Sequence, residues 1–354
     1  MNEYKYLIVK GIAGLGNRML SALTGILYAR LAGRRIIIDW SDLVYSSDGS
    51  NVFHNFFQSP LVNPEDHVPL TDSVSPSIWR AHLRESAWDM TDLYGNFYHR
   101  DNWKKFSIDL SKLDYQEDVL VMWSYVERVD YLRPNFRGEF EEFSRKSKKE
   151  ILSMLLREDL NLHPHIRERV DRFKSDFFRG KTVGVHVRYT DHRARLWSIL
   201  DRLNKLLKRE PELQIFLATD NIQIKRLFEE KYQRVITTQH WYPSPGLKIH
   251  QNPSCPDRLE NGIEALIDLY LLAECHYLII DTSSIFSYVA ALLTNAPDSN
   301  IFNINSKDRG GKRSHRRLHI IWRLMLGLGF LSWGPGALNL LMKMIEPINV
   351  RRKR

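Results

Sequence analysis

The chain has 354 residues, 43% of them hydrophobic and 26% charged, with two cysteines and a formal net charge of +9. These values exclude a mainly disordered chain, a collagen-like chain, a polytopic membrane protein and a disulfide scaffold. Cys255 and Cys275 alone also cannot supply a four-cysteine zinc site. The excess charge is local. Residues 307–354 carry 12 basic and 2 acidic residues, which leaves 39 basic and 40 acidic in the 306 before them. A near-neutral body is unlike a nucleic-acid binder, so no nucleic-acid partner is expected. The first eleven residues are too short and too polar for a secretory signal, and with few cysteines the expected compartment is the cytoplasm.

In chain order, Tyr4 to Val9 reads as a buried strand, followed by the glycine-rich run Gly11-Ile-Ala-Gly14-Leu-Gly16-Asn17-Arg18. An apolar-periodic helix is predicted from Met19 to Ala32, and a second strand from Ile36 to Trp40. This is a β-loop-α-β unit with a glycine-rich first turn. The stretch to about Asp118 is rich in aromatics, Ser, Asn and Asp with weak periodicity, and the aromatic-rich region from about Tyr45 to Trp123 is expected to shape one side of a cleft. Val119 to Trp123 reads as a strand, and helical patterns run from Phe136 to Leu156 and from Pro164 to Phe178. The second half alternates again. Strands are predicted at Thr182–Val187, Gln214–Thr219 and Tyr277–Ile280, and helices at Ser198–Lys208, Ile222–Tyr232, Gly262–Ala273 and Ser284–Leu293.

Four polar strand ends carry the candidate chemistry, because ligands of parallel sheets bind at the C-terminal ends of strands. At Gly14, Gly16, Asn17 and Arg18 a helix start offers backbone N–H groups to an anion, or the segment is a plain tight βα turn. The run lacks the third glycine of a dinucleotide fingerprint. At His186-Val187-Arg188-Tyr189-Thr190-Asp191, alternation puts His186 and Arg188 on one face, where Arg188 pairs with a phosphate or with Asp191. His192, Arg193 and Arg195 make this loop cationic. Asp220-Asn221 ends an apolar strand, either to meet a nucleotide or to cap a helix. Asp281-Thr282-Ser283-Ser284 is either a phosphate cradle or a helix cap. No H-E-x-x-H, P-loop, D-x-D, G-x-S-x-G or C-x-x-C occurs in a suitable context, so metalloprotease, P-loop and serine-hydrolase readings lack support.

Taken in order, these motifs resemble the fucosyltransferase superfamily, most closely its bacterial NodZ-like and α-1,6-fucosyltransferase branches. H-V-R-Y-T-D (His186 to Asp191) looks like the group's H-x-R motif. Leu217 to Asn221 and Thr282 to Ser284 look like its next two donor-site motifs. G-L-G-N-R-M (Gly14 to Met19) is similar to bacterial α-1,2-fucosyltransferases, and Ile36 to Phe57 to the NodZ-like branch. The likeness covers roughly residues 8 to 305. It implies an α/β, GT-B-like fold, GDP-β-L-fucose as donor, inversion at the anomeric carbon, and neither metal nor other cofactor.

By the same resemblance Arg188 neutralises the departing diphosphate and His186 braces the donor. Asp220 or Asn221 meets the nucleotide, Thr282, Ser283 and Ser284 hold phosphate or sugar, and the product is an α-1,6-linked glycan or glycolipid. Tyr189 stands where the α-1,6 enzymes often carry a second arginine. Arg193 to Trp197 holds no acid where the eukaryotic enzymes have a glutamate, so Asp191 is the candidate base. A non-catalytic nucleotide-sugar- or glycan-binding protein on the same scaffold is the alternative.

The expected organisation is an N-terminal Rossmann-like domain (1–175), a C-terminal nucleotide-sugar domain (176–306), with a cleft between them, and a basic, apolar tail (307–354). Leu324 to Met342 is 19 residues without a charge, broken by Gly334-Pro335-Gly336. Two short helices at an anionic membrane surface, a hairpin packed on the body, and a true span are the readings that stay open.

Overall fold

The computed structural model describes residues 4–94, 103–190, 194–244 and 252–305. Asp191 and the tail from residue 307 therefore lie outside the described residues. The first half contributes β1 (Tyr6–Lys10), α1 (Leu15–Ala32), β2 (Arg35–Asp39), β3 (Val74–Ser75), α2 (Ala87–Tyr94), β4 (Val119–Trp123), α3 (Lys148–Glu158) and α4 (Pro164–Phe177). The second contributes β5 (Thr182–Val187), α5 (Leu196–Arg209), β6 (Gln214–Thr219), α6 (Ile222–Lys231), β7 (Val235–Ile236), α7 (Arg258–Ala273), β8 (Tyr277–Ile280), α8 (Ile285–Leu293) and β9 (Ile301–Asn303). Short turns of helix and a small antiparallel ribbon, Phe57–Gln58 with Asn161–Leu162, fill the intervals.

Two parallel sheets result. The first has the order β2-β1-β4-β3 and the second β9-β8-β5-β6-β7. The strands are nearly continuous apolar runs because both faces of a parallel sheet are covered. In the first sheet Leu7, Val9, Leu120 and Met122 face one core, and Ile8, Ile37, Val119 and Val121 face another around Trp79 and Phe106. The first of these cores is shared between the halves. Phe216, Ala218, Leu278 and Ile280 of the second sheet belong to it too. Helix α8 closes it by packing on α1, α3 and α7.

Most predicted elements form with shifted ends. The helical pattern from Phe136 to Leu156 does not hold as one helix. It breaks before α3, where Ser147 and Glu150 form a reciprocal capping box. Lys10 is buried and spends its three protons on Asp39 Oδ2 (2.5 Å), Leu83 O (2.7 Å) and Glu85 O (2.8 Å), which pins the segment before α2 to the sheet. The Lys10–Asp39 pair thus explains the acid at the end of β2 as architecture.

Candidate functional site

The polar strand ends of both sheets meet at one cavity of about 190 Å³, lined by Gly14, Gly16, Asn17, His186, Arg188, Thr190 and Asp220 among others. Its floor is two helix N-termini. Gly14 is the extended residue before α1 (φ −77°, ψ 168°), and no side chain caps that helix. Gly16 meets the start of α8 closely. A Cβ there would lie 3.0 Å from Ile285 Cγ2 and 3.2 Å from Phe286 N, so glycine is required by the approach of the two helices. Helix starts carry unpaired N–H groups and the positive end of the helix dipole, so this pairing suits an anion. The Leu15 N–H is already given to Tyr45 Oη at 3.0 Å, and burial pushes the Tyr45 phenol up to about 12, so it stays neutral. Asn17 Nδ2 donates to Tyr125 O at 2.7 Å. Ala13 has φ +61°, a strained left-handed residue beside the cavity.

Arg18 does not reach this cavity. It is fully buried beneath the turn, with Nε donating to Ala13 O at 3.0 Å and Nη2 bound to Asp42. Its guanidinium lies over Tyr45 (5.1 Å) and Trp40 (5.8 Å). The residue shapes the glycine-rich turn from below.

On the second sheet, His186 is 7% exposed, and its Nδ1 sits 2.5 Å from Ser287 Oγ. Its ring packs on Phe286 at 4.9 Å. Burial, with the Arg188 cation adding to it, pushes the imidazole down to about 3. His186 is thus neutral at physiological pH, with Nδ1 engaged to Ser287. Arg188 is half-buried and lines the cavity. The turn that carries it is clamped by Asp220, which accepts from Tyr189 N–H (2.7 Å) and Thr190 Oγ1 (2.5 Å). Burial raises the Asp220 carboxyl against these bonds and the Arg188 charge. The helix cap falls one residue later, where Asn221 Oδ1 accepts from Gln223 N (2.9 Å) and Ile224 N (3.1 Å). Asn221 is therefore a capping residue, and Asp220 fixes the turn.

Two of the three hydroxyls of the 282–284 run are engaged within the fold. Thr282 Oγ1 accepts from Asn303 Nδ2 at 2.7 Å, and Ser283 donates its N–H (2.9 Å) and Oγ (2.6 Å) to Asp281 Oδ1. Ser284 Oγ is buried and has no partner among the described residues. The run reaches the cavity through the next two residues, Ile285 and Phe286, at the start of α8.

The α7 side of the cavity escaped the motif reading. Asn261, Glu264 and Asp268 of α7, with His240, line the cavity. Burial pushes the Asp268 carboxyl up to about 7, although it accepts from Thr238 Oγ1 at 2.5 Å. His240 Nε2 donates to Thr219 O at 3.1 Å, which leaves Nδ1 as the side facing Asp268 Oδ2 at 4.0 Å. Burial lowers His240 and raises Glu264. A signal existed, since the i, i+3, i+7 spacing of 261, 264 and 268 puts them on one face of the helix. Among the described residues no group of three or more His, Cys, Asp or Glu is arranged to hold a metal ion. No described helix is long and apolar enough to cross a membrane.

A cavity between two parallel α/β sheets fits a GT-B-like fold, and comparisons with known proteins give the same fold. No protein-family model matches the chain. Nodulation protein Z of Azorhizobium caulinodans is 24% identical over 323 residues, 82% of this chain and 90% of that protein. The crystal structure of NodZ α-1,6-fucosyltransferase soaked with GDP-fucose matches with a TM-score of 0.57 at 21% identity, over 82% of this chain and 93% of that one. Fucosyltransferase NodZ from Bradyrhizobium matches with a TM-score of 0.55 at 22% identity, over 83% and 93%. The GT-B-like fold expected from the sequence is therefore the fold of this chain.

Proposed function

We propose that the chain is an inverting glycosyltransferase that moves L-fucose from GDP-β-L-fucose to a glycan or glycolipid acceptor, with α-1,6 linkage. The observation that carries this reading is the convergence of Arg188 with the N-termini of α1 and α8 on one cavity. Such a site neutralises a departing diphosphate with fixed dipoles and a guanidinium. The similarity to a fucosyltransferase whose structure was solved with GDP-fucose supports the choice of donor. The Asp268 carboxylate on the α7 side of the cavity offers acceptor oxygens to the N–H donors of guanine's pairing edge.

In the reaction the acceptor hydroxyl oxygen bonds to fucose C1 while the C1–O bond to GDP breaks. The electron pair leaves with the diphosphate, against Arg188 and the helix N-termini. The hydroxyl proton passes to a base, for which Asp191 is the proposed group. His186 stays neutral and braces the donor, and Asp220 holds the turn that carries Arg188. Residues 1–175 form the acceptor side and lend the N-terminus of α1 to the donor cavity, residues 176–306 supply the rest of the donor site, and the basic tail (307–354) attaches the enzyme to an anionic membrane surface from the cytoplasm.

Transfer from GDP-fucose by Arg188→Ala tests the reading. A 10²–10³-fold fall in kcat with the fold retained is expected, about the size of removing one transition-state donor. Turnover equal to the wild type would overturn it.

A further inference from the structure

A second cavity of about 660 Å³ lies beside the first and shares Asn261 with it. Its walls come from the loop after β2, from α2 with the segment before it, and from the residues leading into α7. Nothing in the donor chemistry above uses it. Its composition is specific. Asp48, Asp89 and Asp92 present exposed carboxylates, Arg84 and Arg258 present guanidiniums, and Trp88 adds a half-buried indole. Asp48 is held ionised by Ser46 Oγ (2.6 Å) and Ser50 N–H (2.9 Å), which keep its carboxyl below the usual range. Arg258 is drawn toward the loop after β2, where Nη1 donates to Leu43 O at 2.5 Å.

Asn252 adds an independent observation. It is 5% exposed and lines this cavity. Its Oδ1 accepts from Ser254 N–H at 3.0 Å, which fixes the orientation of the carboxamide. Its Nδ2 is buried and has no partner among the described residues. A buried donor kept without an acceptor is unusual in a folded protein, and a ligand oxygen is one group that resolves it.

We infer that this second cavity is the acceptor subsite and that it takes an uncharged, polyhydroxylated saccharide. The inference rests on the transferase reading of the neighbouring cavity. Carboxylates accept from sugar hydroxyls, guanidiniums and the Asn252 amide donate to them, and an indole covers apolar C–H faces. Three carboxylates against two arginines disfavour an anionic ligand. The shared wall at Asn261 places a hydroxyl of the bound sugar next to the donor cavity.

Binding of neutral tetrasaccharides of glucose, of N-acetylglucosamine and of mannose to the full chain, measured by calorimetry without donor, tests this directly. GDP-fucose is titrated separately on the same proteins. At least one tetrasaccharide is expected to bind the wild type. Its affinity should fall at least tenfold in Trp88→Ala and Asp92→Asn, and in the near-isosteric Asn252→Asp, while GDP-fucose affinity stays within twofold. Thermal melting verifies that each variant is folded, and Asp92, being exposed, serves if the others are not. No binding of any tetrasaccharide, unchanged affinity in the folded variants, or tighter binding of a tetragalacturonate overturns the inference. Saccharide binding that the variants abolish, in a chain that does not bind GDP-fucose, would uphold this subsite while sinking the donor assignment.

Discussion

The two glycine- or arginine-bearing βα turns of the molecule use the same pair of residue types in opposite ways. After β1, Arg18 is fully buried and bound to Asp42, and the cation is spent on supporting the turn. After β5, the carboxylate is the supporting member. Asp220 clamps Tyr189 and Thr190 from within, and Arg188 lines the cavity. An arginine beside a strand end is therefore not evidence of a ligand site until its carboxylate has been located. What decides between the roles is which partner is placed beneath the turn.

Breaking the structural pair should have the larger effect on stability. Arg18→Ala leaves Asp42 buried and unpaired, and is expected to cost about 3–5 kcal/mol. Urea unfolding measures it, and a loss below about 1 kcal/mol would contradict the structural role.

The next effect belongs to Asp268, on the α7 side of the same cavity. The folded Asp268 carboxyl, at about 7, lies above the ~3.9 of an unfolded chain. The stability it lends is full below pH ~4 and lost as pH rises through 7. Asp268→Asn should therefore raise the melting temperature of the ligand-free protein at pH 8 and have little effect at pH 4. The same carboxylate must be ionised to accept from a base, so donor affinity should weaken as pH falls below about 7 in the wild type, and less so in the variant. A pH-independent donor affinity in the wild type would remove Asp268 from the nucleotide's contacts.

The smallest effect lies in the strained turn itself. Ala13 at φ +61° should be relieved by Ala13→Gly, with a gain of about 0.5–1 kcal/mol after the added chain entropy of glycine. A shift of the urea midpoint to lower concentration would show that the turn is not strained.

The contrast between the two turns also explains how far sequence reasoning reached. Val119–Trp123, Thr182–Val187, Gln214–Thr219 and Tyr277–Ile280 form as read, because a strand covered on both faces is an unbroken apolar run. Val74–Ser75 and Val235–Ile236 were invisible, since two residues carry no period. Three of the four polar strand ends line one cavity, and the fourth reaches it only through Ile285 and Phe286. Their division of labour was not readable. Arg18 pairs across 24 residues with Asp42, and Thr282 pairs across 21 with Asn303; both partners are set by tertiary packing. The stripe of Asn261, Glu264 and Asp268 was readable from helical spacing, but it belongs to no familiar motif.

The most direct test of the account is calorimetry of GDP-fucose, GDP-mannose and UDP-GlcNAc on the full chain and on Arg188→Ala. The account predicts that GDP-fucose binds most tightly and that its affinity falls at least tenfold in the variant. No binding of any of the three, or equal affinity in the two proteins, would contradict the placement of a nucleotide diphosphate at Arg188.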